Sequence, residues 1–297
     1  MNVTDFKLGH WSHPEKTTGC TVLLAPELVP AAVEVRGGAP GTRETDLLGP
    51  GRMLRRLDAV LLTGGSAFGL GAADGVMRWL KEQGRGFPTA AIPVPIVAGA
   101  VIFDLLPGNS VWPEGQHGYT AASSAEQWFV GGAIGAGCGA SVSKVAGREQ
   151  AMKSGIGLAQ VDTPAGAVTA MFVNNAFGDV FDPDSGTFLT TPGNQGVSSQ
   201  SIAMSSSTSS GSGENTVIGA VLVHRSLDAN SLHRIAASAQ AGVAQTIRPA
   251  HTLFDGDTVF ALSTGDATGS YAEVFQLSIG AQQAASQAIL NSIRNAD

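Results

Sequence analysis

The residue pair with the most chemical content is Asn215-Thr216, because of what flanks it. Before it runs Ser205-Ser206-Ser207-Thr208-Ser209-Ser210-Gly211-Ser212-Gly213, and after it the apolar Val217-Ile218-Gly219-Ala220-Val221-Leu222-Val223. A hydroxyl residue therefore opens a buried strand, at the end of a segment whose composition cannot offset the entropy of ordering. A chain that cuts itself to expose an N-terminal threonine would be cut at such a place. The free terminus would carry nucleophile and base together, since its α-amine can take the hydroxyl proton. The competing reading is a plain linker followed by a strand.

Other groups carry weaker chemistry. Ser141-Val142-Ser143-Lys144-Val145-Ala146-Gly147 sets a lysine in glycine-rich, low-charge surroundings. There its pKa can fall, or its charge can sit beside a nucleophile; a solvated lysine fits the same residues. Val173-Asn174-Asn175-Ala176 ends an apolar run, so an Asn175 amide N–H can face a cleft and hold an oxyanion, or simply make a turn. His251-Thr252-Leu253-Phe254-Asp255-Gly256-Asp257 places two carboxylates around a glycine. They could bind a divalent ion, orient an ammonium or hydroxyl, or form an Asp-Gly turn; the other ligands of a calcium loop are missing. Thr63-Gly64-Gly65-Ser66 can bind an anion at a helix start, but it lacks the dinucleotide fingerprint and the Walker lysine. Gly131-Gly132-Ala133-Ile134-Gly135-Ala136-Gly137-Cys138-Gly139 reads as a phosphate cradle or as close backbone packing. The histidines show no metal-ligand spacing, and no Gly-x-Ser-x-Gly elbow occurs.

The elements that must position these groups follow from periodicity. Apolar, β-branched runs predict strands at 20–24, 31–36, 59–63, 92–102, 156–161, 167–173, 216–223 and 258–263. Helical spacing predicts helices at 66–83, 228–247 and 271–294, the second opened by Asp228 as N-cap. Residues 196–213 read as a mobile loop.

With 297 residues and 43% hydrophobic content, the chain can bury a large core. A net charge of -7 argues against nucleic acid as a partner. No secretion signal and no membrane-length apolar run is visible, so a cytoplasmic protein without membrane attachment is expected. Cys20 and Cys138 make no disulfide framework and read as small buried hydrophobes.

Taken in order, several segments resemble the DmpA-type family of L-aminopeptidase/D-esterases, whose relatives include β-peptidyl aminopeptidases and nylon-oligomer hydrolases. They are Val35-Arg36-Gly37-Gly38-Ala39-Pro40-Gly41-Thr42-Arg43-Glu44-Thr45, Leu62-Thr63-Gly64-Gly65-Ser66-Ala67-Phe68-Gly69-Leu70 and Val101-Ile102-Phe103-Asp104-Leu105. Gly135-Ala136-Gly137-Cys138-Gly139-Ala140, Asn215-Thr216 and Phe254-Asp255-Gly256-Asp257-Thr258-Val259-Phe260 complete the set. The resemblance implies an α/β (α+β) fold, a four-layer αββα sandwich shared with ornithine acetyltransferases. It implies one hydrolase domain over 1–297, cut between Asn215 and Thr216 into chains 1–215 and 216–297, with 196–214 as the processing loop.

By the same resemblance, Thr216 is the nucleophile, Asn175 the oxyanion donor and Lys144 a further active-site residue. Asp255 and Asp257 orient Thr216 and pair with its α-amine. Phe103 and Gly135 are expected at the substrate pocket; some relatives carry tyrosine at the position of Phe103, a hydroxyl that this chain lacks. The implied activity is hydrolysis of amide bonds in small peptides, amino-acid amides or amide oligomers, with no metal or organic cofactor. A homo-oligomer of processed heterodimers is expected. The rival within the fold is an acyltransferase of the ornithine acetyltransferase kind; outside it, a non-enzymatic scaffold.

Overall fold

Apolar runs that lack a polar face must be covered on both sides. That requirement sets the architecture seen in the computed structural model, which describes residues 1, 3, 5–108, 111–205 and 215–296. The first half contains β1 (Lys7–Ser12), β2 (Gly19–Val35), β3 (Thr42–Arg43) and β4 (Arg56–Thr63), then α1 (Ser66–Gly69), α2 (Ala72–Glu82), β5 (Val97–Val101) and α3 (Gly115–Ser123). The middle contains β6 (Ser141–Val142), β7 (Met152–Lys153), β8 (Ile156–Thr163), β9 (Gly166–Asn175), β10 (Asp179–Asp182), β11 (Thr187–Phe188) and α4 (Ser199–Ser205). The last part runs β12 (Thr216–Val223), α5 (Ala229–Thr246), β13 (Ile247–Arg248), β14 (Thr258–Ser263) and α6 (Tyr271–Arg294).

The hydrogen-bonded strand order is β3-β5-β4-β2-β14-β12-β9-β8, with β1 on β2. Strand β2 belongs to two sheets. Its first half pairs with β1 and β4 and its second half with β14, and the register shifts between Leu24 and Val29. The shift bends the strand and folds one sheet over the other.

Three apolar clusters then separate four layers. Between the first sheet and the helices α2 and α3 lie Val22, Leu24, Leu61, Val76, Leu80 and Ala121. Between the sheets lie Leu23, Val60, Leu62, Ile218, Leu222, Phe260 and Leu262. Between the second sheet and α5 and α6 lie Val217, Val221, Leu232, Ile235, Leu277 and Ala284. Strand alternation sends Ile218 and Leu222 to one face of β12 and Val217 and Val221 to the other. The expected αββα sandwich is thus found.

Helix α6 has the expected bounds, set by a capping box between Ser270 and Glu273, and α5 begins after Asp228, whose side chain accepts from the Ser231 N–H at 2.8 Å. The strands expected at 20–24 and 31–36 are one strand, β2, the strand expected over 92–102 shortens to Val97–Val101, and three further elements differ. The helix expected over 66–83 is broken into α1 and α2 where the N–H groups of Leu70, Gly71, Ala73 and Asp74 donate three residues back, to the carbonyls of Ala67, Phe68, Leu70 and Gly71. Helix α3 has a glycine-rich sequence that gave no helical signal. The loop expected over 196–213 starts as α4, because buried Ser199 donates through its N–H and hydroxyl to Asp179 at 2.5 and 2.6 Å; residues 206–214 lie outside the described residues.

The glycine clusters converge on one buried carboxylate. Gly65 N–H donates to Asp104 Oδ1 at 2.7 Å, so the anion at this helix start is the chain's own aspartate. A Cβ at Gly64 would lie 2.1 Å from Asp104 Oδ2, and one at Gly139 2.5 Å from Asp104 Cβ. The close approach of the Asp104 side chain therefore accounts for Gly64, and that side chain together with the Thr17 carbonyl for Gly139. Burial pushes Asp104 up to about 6, against the pull of the Gly65 N–H and the Thr18 hydroxyl. Its folded value lies above the ordinary 3.8, so its ionisation opposes folding; that penalty is absent below about pH 4 and complete above about pH 6. Asp104→Asn keeps the Gly65 bond and removes the charge. It is expected to gain on the order of 2–3 kcal/mol over wild type at pH 8 and nothing at pH 4, read from urea midpoints.

Candidate active site

Strand β12 runs antiparallel to β9 on one side and parallel to β14 on the other. Thr216, its first residue, stands opposite Asn175, the last residue of β9. The neighbouring Asn215 bridges to Asp255 on the opposite edge, and both Asn215 and Thr216 are buried. The Thr216 hydroxyl hydrogen-bonds to the carbonyl oxygen of Asn215, the peptide group that joins the two residues. That same oxygen accepts the Gly256 N–H at 2.9 Å.

On the β9 side, Asn174 and Asn175 point to opposite faces, as strand neighbours must. Asn174 Nδ2 donates to Ser292 Oγ of α6 at 3.1 Å and fastens the strand to the helix layer. Asn175 faces the site. Its Oδ1 accepts from Lys144 Nζ at 2.9 Å and from Ser141 N–H at 3.2 Å, and its Nδ2 donates to the Phe103 carbonyl at 3.2 Å. Lys144 Nζ also donates to the Asn175 carbonyl at 2.8 Å. The lysine is placed by its backbone, since Ser143 and Lys144 donate N–H groups to Gly178 and Phe177. These bonds settle which way the Asn175 amide is turned: oxygen to the ammonium, nitrogen to a carbonyl.

Phe103 lines a shallow pocket with Leu105, Leu106, Pro107 and Arg148, whose guanidinium lies 5.2 Å from the Phe103 ring centroid. Gly135 sits elsewhere. Its N–H donates to Ser12 Oγ at 2.8 Å, and a Cβ there would press on Thr21 and His10 of the first sheet.

On the β14 side, the loop before the strand carries both aspartates. Asp257 Oδ1 accepts the Val217 N–H at 2.7 Å, one residue from Thr216. Its Oδ2 accepts from His251 Nδ1 at 2.7 Å and from the His251 N–H at 3.1 Å. Asp255 accepts from Thr252 N–H and Oγ1 at 2.9 and 2.5 Å and from Phe177 N–H at 3.4 Å. Burial first, then the charge of Asp257, pushes Asp255 up to about 6. The loop is fixed from outside by the segment after β2. Arg36 N–H donates to the Asp257 carbonyl and Ala39 N–H to that of Asp255, at 2.9 and 2.8 Å. A Cβ at Gly37 would lie 2.1 Å from the Asp255 carbonyl oxygen, which explains the glycine.

The structure therefore gathers Thr216, Asn175, Lys144, Asp255, Asp257 and Phe103 around one strand end. It adds His251, to which the sequence reading gave no role; its place in the same short segment as the aspartates was the available signal. Both His251 ring nitrogens face acceptors, Asp257 Oδ2 and the Gln240 carbonyl at 3.2 Å, so both carry hydrogen. Burial works against this imidazolium, but the Asp257 hydrogen bond and charge outweigh it and hold the pKa above its ordinary 6.5. Among the described residues, no group of three His, Cys, Asp or Glu side chains is arranged to hold a metal ion. Nor is any helix there long and apolar enough to cross a membrane. Cys20 and Cys138 are free and buried.

The profile of peptidase family S58 matches residues 1–297. The chain belongs to this family. It is 42% identical over 292 residues to an uncharacterized aminopeptidase of Mycobacterium leprae, a match covering 89% of this chain and 78% of that one. It is 29% identical over 271 residues to a 6-aminohexanoate-oligomer endohydrolase of Kocuria sp., covering 87% and 73%. The fold superposes with a TM-score of 0.72 on the L-aminopeptidase D-Ala-esterase/amidase of Ochrobactrum anthropi, described as a variant of the Ntn hydrolase fold. That likeness covers 99% of this chain and 85% of the other at 16% identity, and it speaks for the fold. This S58, DmpA-type chain is a hydrolase of peptide or amide bonds.

The His251 clamp generates a test. Asn tolerates the left-handed backbone that His251 adopts at φ 55°, so His251→Asn removes the imidazolium without forcing the loop. The loss is expected to be about 1.5–3 kcal/mol, the range for a hydrogen bond to a charged group. Because the folded pKa is raised, this contribution is full below about pH 6.5 and fades as pH rises through the folded value. Urea unfolding at pH 6 and pH 9 should therefore show the larger deficit at pH 6.

Proposed function

We propose that the protein is a self-processing N-terminal threonine amidohydrolase, an aminopeptidase or amidase acting through an acyl-enzyme on Thr216. The observation that carries this reading is the Thr216 hydroxyl lying against the carbonyl of the peptide bond that precedes it, at a buried strand end. In the precursor, Oγ1 attacks the Asn215 carbonyl carbon. The C–N bond breaks, the hydroxyl proton ends on the departing nitrogen, and an ester joins Asn215 to Thr216. Water cleaves that ester, releasing the Asn215 carboxylate and restoring the hydroxyl.

The new α-amine, with a typical pKa of about 7.7–8, then acts as base for the same hydroxyl. Asp257, bonded to the adjacent Val217 N–H, is placed to pair with that amine. In turnover the hydroxyl attacks the substrate carbonyl, the Asn175 amide nitrogen donates to the oxyanion, and water releases the acyl group. Lys144 holds the Asn175 oxygen, which turns the amide nitrogen away from itself and fixes the donor's orientation. Substrates are amide bonds of small peptides, amino-acid amides or related oligomers. The oligomer-hydrolase relatives favour linear amide oligomers as a second reading, and Phe103 and its pocket would meet the acyl chain.

An oligomer of processed heterodimers fits an apolar stripe on α6. Tyr271 and Phe275, one helical turn apart, are 98% and 67% exposed, and Ile279 follows them. Tyr271→Glu with Phe275→Glu should lower the mass measured by light scattering; an unchanged mass would remove the stripe from the interface.

Denaturing intact mass is expected to show chains 1–215 and 216–297. Thr216→Ala should stay whole and inactive, and an active, cleaved Thr216→Ala protein would sink the assignment. Asn175→Ala should lower amidase turnover by roughly a hundredfold. A near-normal rate takes the oxyanion role away from Asn175.

A further inference from the structure

We infer that the backbone N–H of Gly256 is the oxyanion donor for self-cleavage, a group distinct from the Asn175 amide that serves substrate. The inference rests on the self-processing reading above. Its basis is the direction of the Asn215 carbonyl. Strand carbonyls lie in the sheet and point to a neighbouring strand. This one points to the β14 side, where Gly256 N–H meets it at 2.9 Å, while Asn175 stands on the β9 side with its Nδ2 donating to Phe103. The scissile carbonyl and Asn175 thus lie on opposite edges of β12.

The donor is held before any reaction begins. The carbonyls on either side of Gly256 accept from Ala39 and Arg36, and the flanking carboxylates are tied to Thr252, His251 and Val217. A donor fixed in this way needs no reorganisation when charge develops on the oxygen. Only glycine allows the arrangement. A Cβ at 256 would lie 2.9 Å from Thr216 Oγ1 and 2.8 Å from the Ala39 carbonyl oxygen, displacing the attacking hydroxyl. When Oγ1 bonds to the Asn215 carbon, the carbonyl electron pair moves to the oxygen that Gly256 already holds. When the C–N bond breaks, that pair returns to form the ester carbonyl.

The division of labour explains a structural need. The precursor must cleave a bond inside its own sheet, whereas the mature enzyme must accept a carbonyl from solvent. One donor on each edge of β12 serves each task, and release of the Asn215 carboxylate leaves the Asn175 side unaltered.

The test replaces Gly256 by glycolic acid in the full chain, which exchanges the N–H for an ester oxygen and adds no side chain. Conversion of whole chain to the fragments is followed by intact mass, in protein whose urea unfolding remains cooperative. Self-cleavage is expected to slow by about a hundredfold or more, the loss typical of one oxyanion donor. Cleavage at the wild-type rate overturns the inference. Asn175→Ala supplies a second reading: its self-cleavage should stay within about threefold of wild type while turnover per cleaved chain falls about a hundredfold. An equal loss of both would show one shared donor and overturn the inference. A wild-type chain that never cleaves overturns the self-processing reading itself, an outcome distinct from either variant result.

Discussion

Everything at this site depends on where β12 begins. A strand inside a sheet has both edges occupied, so its first residue inherits a neighbour on each side. Thr216 has Asn175 opposite it on one edge, and the peptide before it meets the Asp255-Gly256-Asp257 loop on the other. The ladder fixes this register because slipping by one residue would send Ile218 and Leu222 from the sheet-sheet core into the helix layer. The cost of misplacing the hydroxyl is therefore the cost of repacking two cores.

Asn175 and Asp257 are tolerated in this interior because both are hydrogen-bonded. Asn175 is held by Lys144, Ser141 and Phe103, and Asp257 by Val217 and His251. A buried carboxylate beside a second one would resist ionisation, as the upward shift of Asp255 shows. On the other side of the loop His251 donates to Asp257, whose carboxylate stands next to the strand end. The charge arrangement is thus lysine on the β9 edge, and aspartates backed by histidine on the β14 edge, with the threonine between them.

The glycine clusters serve the same end indirectly. Those at 64, 65 and 139 let the backbone close on Asp104, one residue from Phe103, whose carbonyl takes the Asn175 amide. Gly37 lets the segment after β2 seat the aspartate loop. Sequence segments that look like separate motifs are packing surfaces for a single strand end.

Much of the frame was legible in the chain. Strands Thr216–Val223 and Thr258–Ser263 and helix Tyr271–Arg294 have the bounds that apolar periodicity and capping residues imply, because these signals are local. The four layers and the set Thr216, Asn175, Lys144, Asp255 and Asp257 followed from ordered motifs that resemble a family, not from spacing. The continuity of β2 through its bend, helix α3 with its poor helical sequence, and α4 within a Ser-rich run were not legible, since distant packing and the Asp179 bonds decide them. The sequence by itself determined that a threonine opens a buried strand and that two aspartates flank a glycine just before another. Only the tertiary structure decided that Asn175 and Gly256 stand on opposite edges of that strand and that His251 backs Asp257. Edge, direction and partner are properties of strand pairing, and pairing joins residues up to hundreds of positions apart.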